Sequence, residues 1–312
     1  MKSSVGRREF LKAGLICSGA IVTSAPHILH ARNDSQAQRF PKVAIVHGND
    51  PAIITRKAVD ALGGIKSFVK PGNKVVIKPN MSFADGPEEG TNTHPSVVAE
   101  VARMCSEAGA TQIAVLDNTL QTPADCLSMS KIPEYCEKVP NTFVSVVHAR
   151  RMFREVRIPK GKEVKKMEVI GDVLDADVLI AVPVGKTHSS AGVSFSMKGM
   201  MGLIYDRRCF HTRYDLHQAI VDMATVLTPN LVVIDGTRIL STGGPRGPGK
   251  VIPLNMVIAS TDMVAADAQM VTSGTWYGRK FKPHKVRHIR LAAEQGVGRA
   301  DVENLPVQTI KT

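Results

Sequence analysis

The sequence is poor in aromatic residues and has no clustered cysteines. Phe, Trp and Tyr make up 4% of its 312 residues, which argues against the aromatic stacking platforms that bind single-stranded nucleic acid. The cysteines, none of which forms a CxxC pair, are Cys17, Cys105, Cys126, Cys136 and Cys209. Their wide spacing argues against a zinc ribbon or an iron–sulfur cluster held by one short segment. We therefore expect no iron–sulfur cluster, and we favour buried thiols over a disulfide between Cys126 and Cys136.

The sequence also lacks a long hydrophobic run. A membrane-spanning helix takes about 20 mostly apolar residues, and the uncharged, moderately apolar stretch at residues 13–25 is too short for that. This stretch follows the basic motif RREFLK at residues 7–12. We expect no stable membrane span, and we interpret the N-terminus as an export leader that takes no part in the fold.

The leader resembles the bacterial twin-arginine (Tat) signal, with Gly6 at the position where Ser or Thr is usual. The resemblance predicts a signal peptide over residues 1–31 that is cleaved after Ala25 or Ala31, and Pro26 disfavours the first of these sites. It implies a periplasmic protein whose partner during export is the Tat machinery. Since that route carries folded proteins, the resemblance is compatible with a cofactor bound before export, of unknown identity.

The chain is basic, with a formal net charge of +12 and a pI of about 9.6. A basic protein favours anionic ligands or acidic surfaces, although solubility alone is a competing explanation. We expect no nucleic-acid partner, because the sequence shows no basic helix and no known reading motif. The densest basic run, residues 150–166, has the pattern of an exposed strand pair with a turn at Gly161. We interpret its charges as a solvated face.

Short β-branched segments alternate with amphipathic ones along the chain. Strands are predicted at residues 42–48, 73–80, 111–118, 141–148, 176–184, 230–236 and 253–260, and helices at 51–63, 96–108, 123–138, 215–227, 262–272 and 284–295. The alternation predicts an α/β fold with a mostly parallel, Rossmann-like sheet and helices on both faces. We expect one domain over residues 42–312, preceded by a linker at 32–41 and interrupted by a small β-rich insertion at about 119–170.

Polar side chains follow several of the predicted strands. Lys78 and Asn80 end the strand at 73–80, and His94 lies in the loop after it. In an open α/β sheet, ligands bind beyond the carboxyl ends of the strands, where a lysine can hold a phosphate or a carboxylate. We expect Lys78 and Asn80 to bind substrate and His94 to transfer protons. The alternative for His94 is a loop histidine that caps the next helix.

The segment VPVGKTHSSAGVSFSMKGMMG, residues 182–202, follows the most apolar strand. Its GKT sequence lacks the upstream glycine of a phosphate-binding P-loop, so we reject that motif. We expect Lys186 and His188 to be catalytic and Lys198 to bind substrate. The competing interpretation is a glycine-rich loop with solvated lysines.

A third polar group comes from the strand at 230–236, which ends at Asp235, and from the loop that follows it. We expect Asp235 and Arg246 to contribute to substrate binding, with the loop as a lid. The alternative is a mobile surface loop. His211 and His217 either reach the site or lie on a solvated helix face. We predict that Lys78, His94, Lys186, His188 and Lys198 converge on a single pocket.

An ordered set of motifs spans about residues 42–308: KPN, THP, KTH…VSFSMKGMMG, DLHQAIVDM, DG…GGPRG, TDMVAADA and GVGRADVENLPV. Together they resemble the domain-of-unknown-function family numbered 362. The resemblance implies a fold and a strand-end site more than a reaction. Many relatives carry a ferredoxin-like C-terminal module, which we do not expect in this protein. Gly199 and the pair Ser241-Thr242 stand where relatives often have Asn and Glu-Gly.

Three functions fit these observations. The first is an exported enzyme that binds a small anionic substrate or cofactor through its lysines. The nickel-pincer lactate racemase group, which also uses Lys and His between α/β lobes, is a distant analogy. The second is a periplasmic binding or accessory protein without turnover. The third is a metal site formed by His94, His188 and Asp235, although these lack the local spacing of metal ligands.

Overall fold

The computed structural model describes residues 43–312. The strands are β1 (Val43–His47), β2 (Lys74–Pro79), β3 (Gln112–Asp117), β4 (Thr142–Val146), β5 (Phe153–Arg157), β6 (Lys166–Ile170), β7 (Val178–Val182), β8 (Val184–His188), β9 (Gly192–Ser194), β10 (Leu231–Leu240), β11 (Val251–Ser260) and β12 (Val307–Lys311). The α-helices are α1 (Pro51–Asp60), α2 (Pro95–Glu107), α3 (Pro123–Ser130), α4 (Ile132–Cys136), α5 (Gly171–Leu174), α6 (Ser196–Gly199), α7 (Arg207–Thr212), α8 (Leu216–Ala224), α9 (Met263–Ser273) and α10 (Arg287–Glu294).

The main sheet has the strand order β12-β1-β11-β10-β7-β2-β3-β4. Every neighbouring pair along this path is parallel except the two pairs made by β11, which runs antiparallel to β1 and to β10. The prediction of a mostly parallel α/β sheet is confirmed, and β12 forms one edge of the sheet. The other edge is β4. The basic segment forms a separate antiparallel pair, β5–β6.

Alternate residues of the strands pack on opposite faces of the sheet. On β2, for example, Val75 and Ile77 pack with helices α1, α2 and α4, whereas Val76 packs on the face that carries α8, α9 and α10. Helices therefore cover both faces, as predicted. Because strands with two covered faces are apolar on both sides, they read in the sequence as nearly continuous hydrophobic runs.

The predicted apolar strand at 176–184 is two strands in the structure. Pro183 has no N–H to donate to the β7 ladder, so β7 ends before it and the chain continues as β8. Both β7 and β8 run parallel to β10. The backbone N–H of Val184 donates to Oδ1 of Asn80 at 3.0 Å, and Pro183 O accepts from the N–H of Asp235 at 2.8 Å. The sequence KTH, expected to lie in a loop, therefore lies on β8, which pairs with β10 and β9.

The predicted signal peptide and linker lie outside residues 43–312, the part that the structure describes. Of the region 119–170, β4 joins the main sheet and β5–β6 stands apart as a second sheet. No helix in residues 43–312 combines the length and the hydropathy of a membrane span.

Candidate functional site

A cavity of about 200 Å³ lies beyond the ends of β2 and β3, beside β8 and β9. Seven basic and histidine residues are among those that line it: Lys78, Lys186, Lys198, Arg207, Arg208, His188 and His211. The remaining lining residues are Asn80, Ser82, Phe83, Leu120, Ser194, Gly199, Met201, Gly202 and Pro245. Of the five residues predicted to converge, Lys78, Lys186, His188 and Lys198 line this one cavity.

Lys78 reaches the cavity from the end of β2. Its Nζ donates to the carbonyl of Pro79 and lies 3.2 Å from Oδ1 of Asp117, at the end of β3. The backbone of Gly202 passes directly over this ion pair, because a Cβ there would lie 2.3 Å from Asp117 Oδ1 and 2.4 Å from Lys78 Cε. Burial lowers the pKa of Lys78, and Asp117 opposes that effect. This lysine is the one cavity cation that has a carboxylate partner among the described residues.

Lys186 projects from β8 and is 3% exposed. Its Nζ donates to the backbone carbonyl of Thr91 and lies 5.0 Å from the centre of the Phe83 ring. Burial lowers its pKa from 10.5 to about 7, and Lys78 adds to the shift by charge repulsion. A large fraction of this amine is therefore unprotonated near neutral pH when the cavity holds no anion.

Lys198 lies in α6, a four-residue helix that is fixed by a buried carboxylate. Asp267 of α9 accepts hydrogen bonds from the N–H groups of Ser196 and Met197, at 2.8 and 3.0 Å. Lys198 Nζ lies 3.4 Å from Nε2 of His211. Burial, with repulsion from Arg207 and Lys78, lowers the pKa of Lys198 to about 7. The position of this cation is therefore set by the docking of α6 on α9.

The rings of His188 and His211 stack at the cavity wall, with their centres 5.6 Å apart. Burial and the neighbouring cations lower their pKa values to about 2 and about 4, so both rings are neutral at pH 7. Nδ1 of His188 accepts from the N–H groups of Ser190 and Ala191, at 3.2 and 3.3 Å. Its proton therefore resides on Nε2, and His188 can donate a hydrogen bond but has no free basic nitrogen.

Arg207, on α7, is a cavity residue that the sequence analysis missed. Its Nη2 donates to the carbonyl of Thr119 at 2.9 Å, and burial lowers the pKa of its guanidinium group. Arg207 follows a turn and not a strand. It was therefore not selected by the rule that ligands bind beyond the carboxyl ends of the strands. The family-like segment VSFSMKGMMG ends five residues earlier and offered the only nearby signal.

His94, Asp235 and Arg246 are not among the residues that line the cavity. His94 is the N-cap of α2, where its Nδ1 accepts from the N–H of Ser96 at 3.2 Å. Oδ2 of Asp235 accepts from the N–H of His94 at 2.7 Å and pairs with Arg238. Arg246 is an exposed residue of the loop after β10. The structure thus does not bring these three side chains to Lys186 and Lys198.

The loop that carries Arg246 nevertheless closes one side of the cavity through Pro245. The N–H of Gly244 donates to Oγ1 of Thr187 on β8 at 3.0 Å. A Cβ at Gly244 would lie 2.1 Å from the carbonyl oxygen of Thr187, so only glycine allows this close approach.

The cavity has an excess of positive charge. Lys186, Lys198 and Arg207 have no carboxylate within 4.0 Å in the described part of the chain, and Asp117 offsets Lys78. Within residues 43–312, no group of three or more His, Cys, Asp or Glu side chains is arranged to hold a metal ion. The cysteines of this range are free thiols. The arrangement is therefore suited to hold a small anion that carries more than one negative charge.

The sequence model of the family described as "Domain of unknown function (DUF362)" matches residues 75–272, well over half of the chain. The chain belongs to the DUF362 family. The match contains every cavity-lining residue, from Lys78 to Pro245. The resemblance noted in the sequence motifs is thus confirmed.

A thylakoid-associated protein of Synechocystis sp. is 25% identical over 222 residues, which cover 68% of this chain and 66% of that protein. The chain thus matches slightly less than two thirds of the length of that relative. The lactate racemase apoprotein of Thermoanaerobacterium thermosaccharolyticum is 14% identical, with a TM-score of 0.49, over 78% of this chain and 59% of that one. A Thermotoga maritima protein is 14% identical, with a TM-score of 0.41, over 66% of this chain and 54% of that one.

Proposed function

We propose that the protein is an enzyme that binds a small, multiply charged anion in the cavity and uses Lys186 to accept a proton from it. The observation that carries this proposal is the set of five cations that line one cavity, Lys78, Lys186, Lys198, Arg207 and the exposed Arg208, with Asp117 as their only carboxylate partner within 4.0 Å in residues 43–312. Such a set is costly to bury unless a ligand supplies the opposite charge.

The ligand class follows from the charge and the volume. Apart from the exposed Arg208, three cavity cations, Lys186, Lys198 and Arg207, lack a carboxylate partner. A ligand with two or three negative charges therefore offsets them best. A cavity of about 200 Å³ holds a small metabolite and not a polymer. Phosphates and di- or tricarboxylates have the required charge, and Arg207 can bind either of them through two parallel hydrogen bonds.

Lys186 is the best candidate for the proton acceptor. With a pKa of about 7, it is poised to take up and release a proton near neutral pH, as general acid–base catalysis requires. Nε2–H of His188 can donate to an oxygen of the ligand on which negative charge develops. Lys78, Lys198 and Arg207 then hold the anionic groups.

A binding protein without turnover is the second candidate, and the two predicted catalytic histidines favour it. Nδ1 of His188 is occupied by two backbone N–H groups, and His94 caps a helix. Neither ring therefore has the free, cavity-facing basic nitrogen that a general base needs.

Thermal unfolding with a panel of anions tests the binding part. Inorganic phosphate, pyrophosphate, malonate and citrate serve as probes, with sodium chloride at matched ionic strength as the reference. We expect at least one multivalent anion to raise Tm through mass action. The rise should shrink in Lys186→Gln and persist in Lys138→Gln, which changes an exposed lysine far from the cavity. Equal rises in both variants would rule the cavity out.

Hydrogen exchange separates the enzyme from the binding protein. If Lys186 removes a C–H proton from a bound carboxylate, the ligand should exchange that proton for deuterium in D₂O, as followed by proton NMR. Binding that is lost in Lys186→Gln, without any exchange in the wild type, would favour the binding protein.

We also propose that the protein is exported by the Tat route to the periplasm. The support is the RREFLK motif followed by a short apolar stretch, in the part of the sequence before residue 43. Replacing Arg7 and Arg8 by Lys should block the appearance of the mature form in the periplasmic fraction. Unchanged export of this variant would refute the proposal.

A further inference from the structure

The positive charge of the folded chain is concentrated in two short segments. Residues 43–312 contain 33 Lys and Arg against 26 Asp and Glu, a net charge of +7. Residues 157–166 hold five basic residues and one acidic residue, and residues 279–290 hold six basic residues and no acidic one. These two segments together carry +10, so the rest of the described chain is slightly acidic. The positive charge is therefore a property of these two segments and not of the described chain as a whole.

Most of these charges are exposed and unpaired. Eight of the eleven basic side chains are exposed and have no carboxylate within 4.0 Å: Arg157, Lys160, Lys162, Lys165, Arg279, Lys280, Lys282 and Lys285. A solvated face in an ordinary protein carries both signs of charge. Here one sign dominates, which creates a field that attracts an extended anionic partner.

The two segments meet at the start of α8. Asp215, the N-cap of α8, forms an ion pair with Arg287 of the second segment. The N–H of Asp215 also donates to Oε2 of Glu163, in the first segment, at 3.4 Å. The two basic segments therefore flank one short stretch of the surface.

Buried polar contacts hold this surface in a fixed shape. Oδ2 of Asp222, on α8, accepts from the N–H groups of Lys162, Glu163 and Val164, at 2.9, 2.7 and 2.8 Å. Gln218 of α8 exchanges two hydrogen bonds with Gln295, just after α10. The turn between β5 and β6 and the end of α10 are thus both hydrogen-bonded to α8. Binding through these segments therefore loses less conformational entropy than binding through a flexible basic tail.

We propose that this basic face binds the surface of an anionic lipid bilayer. Clusters of four to eight Lys and Arg residues are the usual electrostatic signature of a protein that docks on anionic lipid headgroups. Tyr277 is 41% exposed beside the second segment, and Phe281 lies partly exposed between Lys280 and Lys282. Aromatic side chains among lysines suit the interface between headgroups and acyl chains.

Nucleic acid fits this face less well. The exposed charges come from a hairpin turn, a loop and the first turns of α10, whose other side is buried through His288, Ile289 and Ala292. No helix or strand of the face projects into a groove as a reading element would. This surface is also separate from the cavity, because none of its residues lines that cavity.

Co-sedimentation with vesicles tests the proposal on the purified full chain. The vesicles contain phosphatidylcholine alone or a 7:3 mixture of phosphatidylcholine and phosphatidylglycerol. We expect binding to the anionic vesicles at low salt and its loss at high salt. The triple variant Lys280→Gln/Lys282→Gln/Lys285→Gln should bind more weakly by on the order of 100-fold. The matched control Lys57→Gln/Lys66→Gln/Lys138→Gln removes three exposed lysines outside the face and should bind like the wild type.

Each outcome decides the proposal. Equal losses in the two triple variants would show a non-specific charge effect and overturn it. Equal binding to both kinds of vesicle, unchanged in either variant, would assign the association to the N-terminal leader and overturn it as well. Binding to a 20-base-pair DNA duplex that exceeds vesicle binding at the same salt would assign the face to nucleic acid. Circular dichroism melts confirm that the variants are folded.

Discussion

Two groups of buried charges lie side by side at the carboxyl edge of the sheet, and they differ in how their charges are satisfied. In the first, Asp235 accepts from the N–H groups of His94 and Thr237 and from Oγ1 of Thr237, and it pairs with Arg238. Arg238 also donates to the carbonyls of Pro87 and Asn92, both at 2.8 Å. Every charge of this network has a partner within the protein.

The cavity is the opposite case. Lys186 and Lys198 have single polar contacts, to a carbonyl and to a neutral histidine, and no carboxylate within 4.0 Å among the described residues. The comparison shows that burial and location do not identify a binding residue. A buried charge whose partners are all in the protein has a structural role. A buried charge without a partner in the protein indicates a ligand-binding site. The predictions below test this distinction.

Breaking the satisfied network should have the largest effect. Arg238→Met leaves the carboxylate of Asp235 buried without its ion partner, and we expect a loss of about 3–5 kcal/mol in the free energy of unfolding. Urea denaturation measures it. The control Arg246→Met changes an exposed arginine nearby and should stay within about 0.5 kcal/mol of the wild type. A loss below about 1 kcal/mol in Arg238→Met would place this pair outside the structural network.

Removing an unsatisfied charge should have the opposite sign. Lys186→Met replaces a buried cation by an apolar side chain of similar length, and we expect a gain of about 2 kcal/mol at pH 7 in the absence of anions. The same variant should lose its response to multivalent anions. The measurement is again urea denaturation, in a low-salt buffer without phosphate. A loss of stability would mean that Lys186 is satisfied by the protein alone.

The sequence predicted the fold and several of the cavity residues, but it did not separate them from the network around Asp235. Apolar runs and caps located the parallel sheet, because strands covered on both faces are hydrophobic throughout. The strand-end rule located Lys78, Lys186, His188 and Lys198, which line the cavity. The rule also selected Asp235, because the strand predicted at 230–236 ends there. In the structure Asp235 lies in the middle of β10, which is buried throughout its length.

What the sequence could not show is which charges have partners. His94 and Asp235 are 141 positions apart in the chain. No local sequence pattern reveals that the carboxylate of Asp235 accepts a hydrogen bond from the backbone N–H of His94. Arg207 was missed for a similar reason, because its place beside Lys198 depends on the path of the turn between α6 and α7. The break between β7 and β8 at Pro183 was also not predicted, because it interrupts an otherwise continuous apolar run.

Arg207 should contribute to anion binding with a smaller effect on the fold. Arg207→Gln removes a charged donor from the cavity wall, and we expect the Kd of the multivalent anion to rise at least tenfold, about 1.4 kcal/mol. Isothermal titration calorimetry measures it, with Arg213→Gln, an exposed change beyond α7, as the control. An unchanged Kd in Arg207→Gln would remove this residue from the anion site.

His94 should give the smallest effect. Asn is a good N-cap residue, so His94→Asn keeps an acceptor for the first turn of α2 and should change stability by less than about 0.5 kcal/mol. The anion response should remain as in the wild type. If the response disappears in this variant, the cavity extends to His94 and the comparison between the two groups fails.

The pH dependence of stability tests the central claim most directly. The pKa values of Lys186 and Lys198 are both lowered from 10.5 to about 7. Between pH 7 and pH 9 the unfolded chain therefore binds more protons than the folded one, so stability should rise with pH. Burial of Lys78 lowers its pKa and acts in the same direction. The window ends at pH 9 because the raised pKa values of Cys105 and Cys136, about 12, oppose the trend increasingly above it.

The measurement is the free energy of unfolding by urea at pH 7 and pH 9, at low salt and without multivalent anions, for the wild type and for Lys186→Met/Lys198→Met. We predict that the wild type becomes more stable by about 2 kcal/mol or more over this range, and that the double variant loses most of this gain. A saturating multivalent anion should flatten the wild-type curve, because its negative charge opposes the lowering of the two lysine pKa values. Equal slopes in the wild type and the double variant would contradict the claim that the cavity cations are unsatisfied until an anion binds.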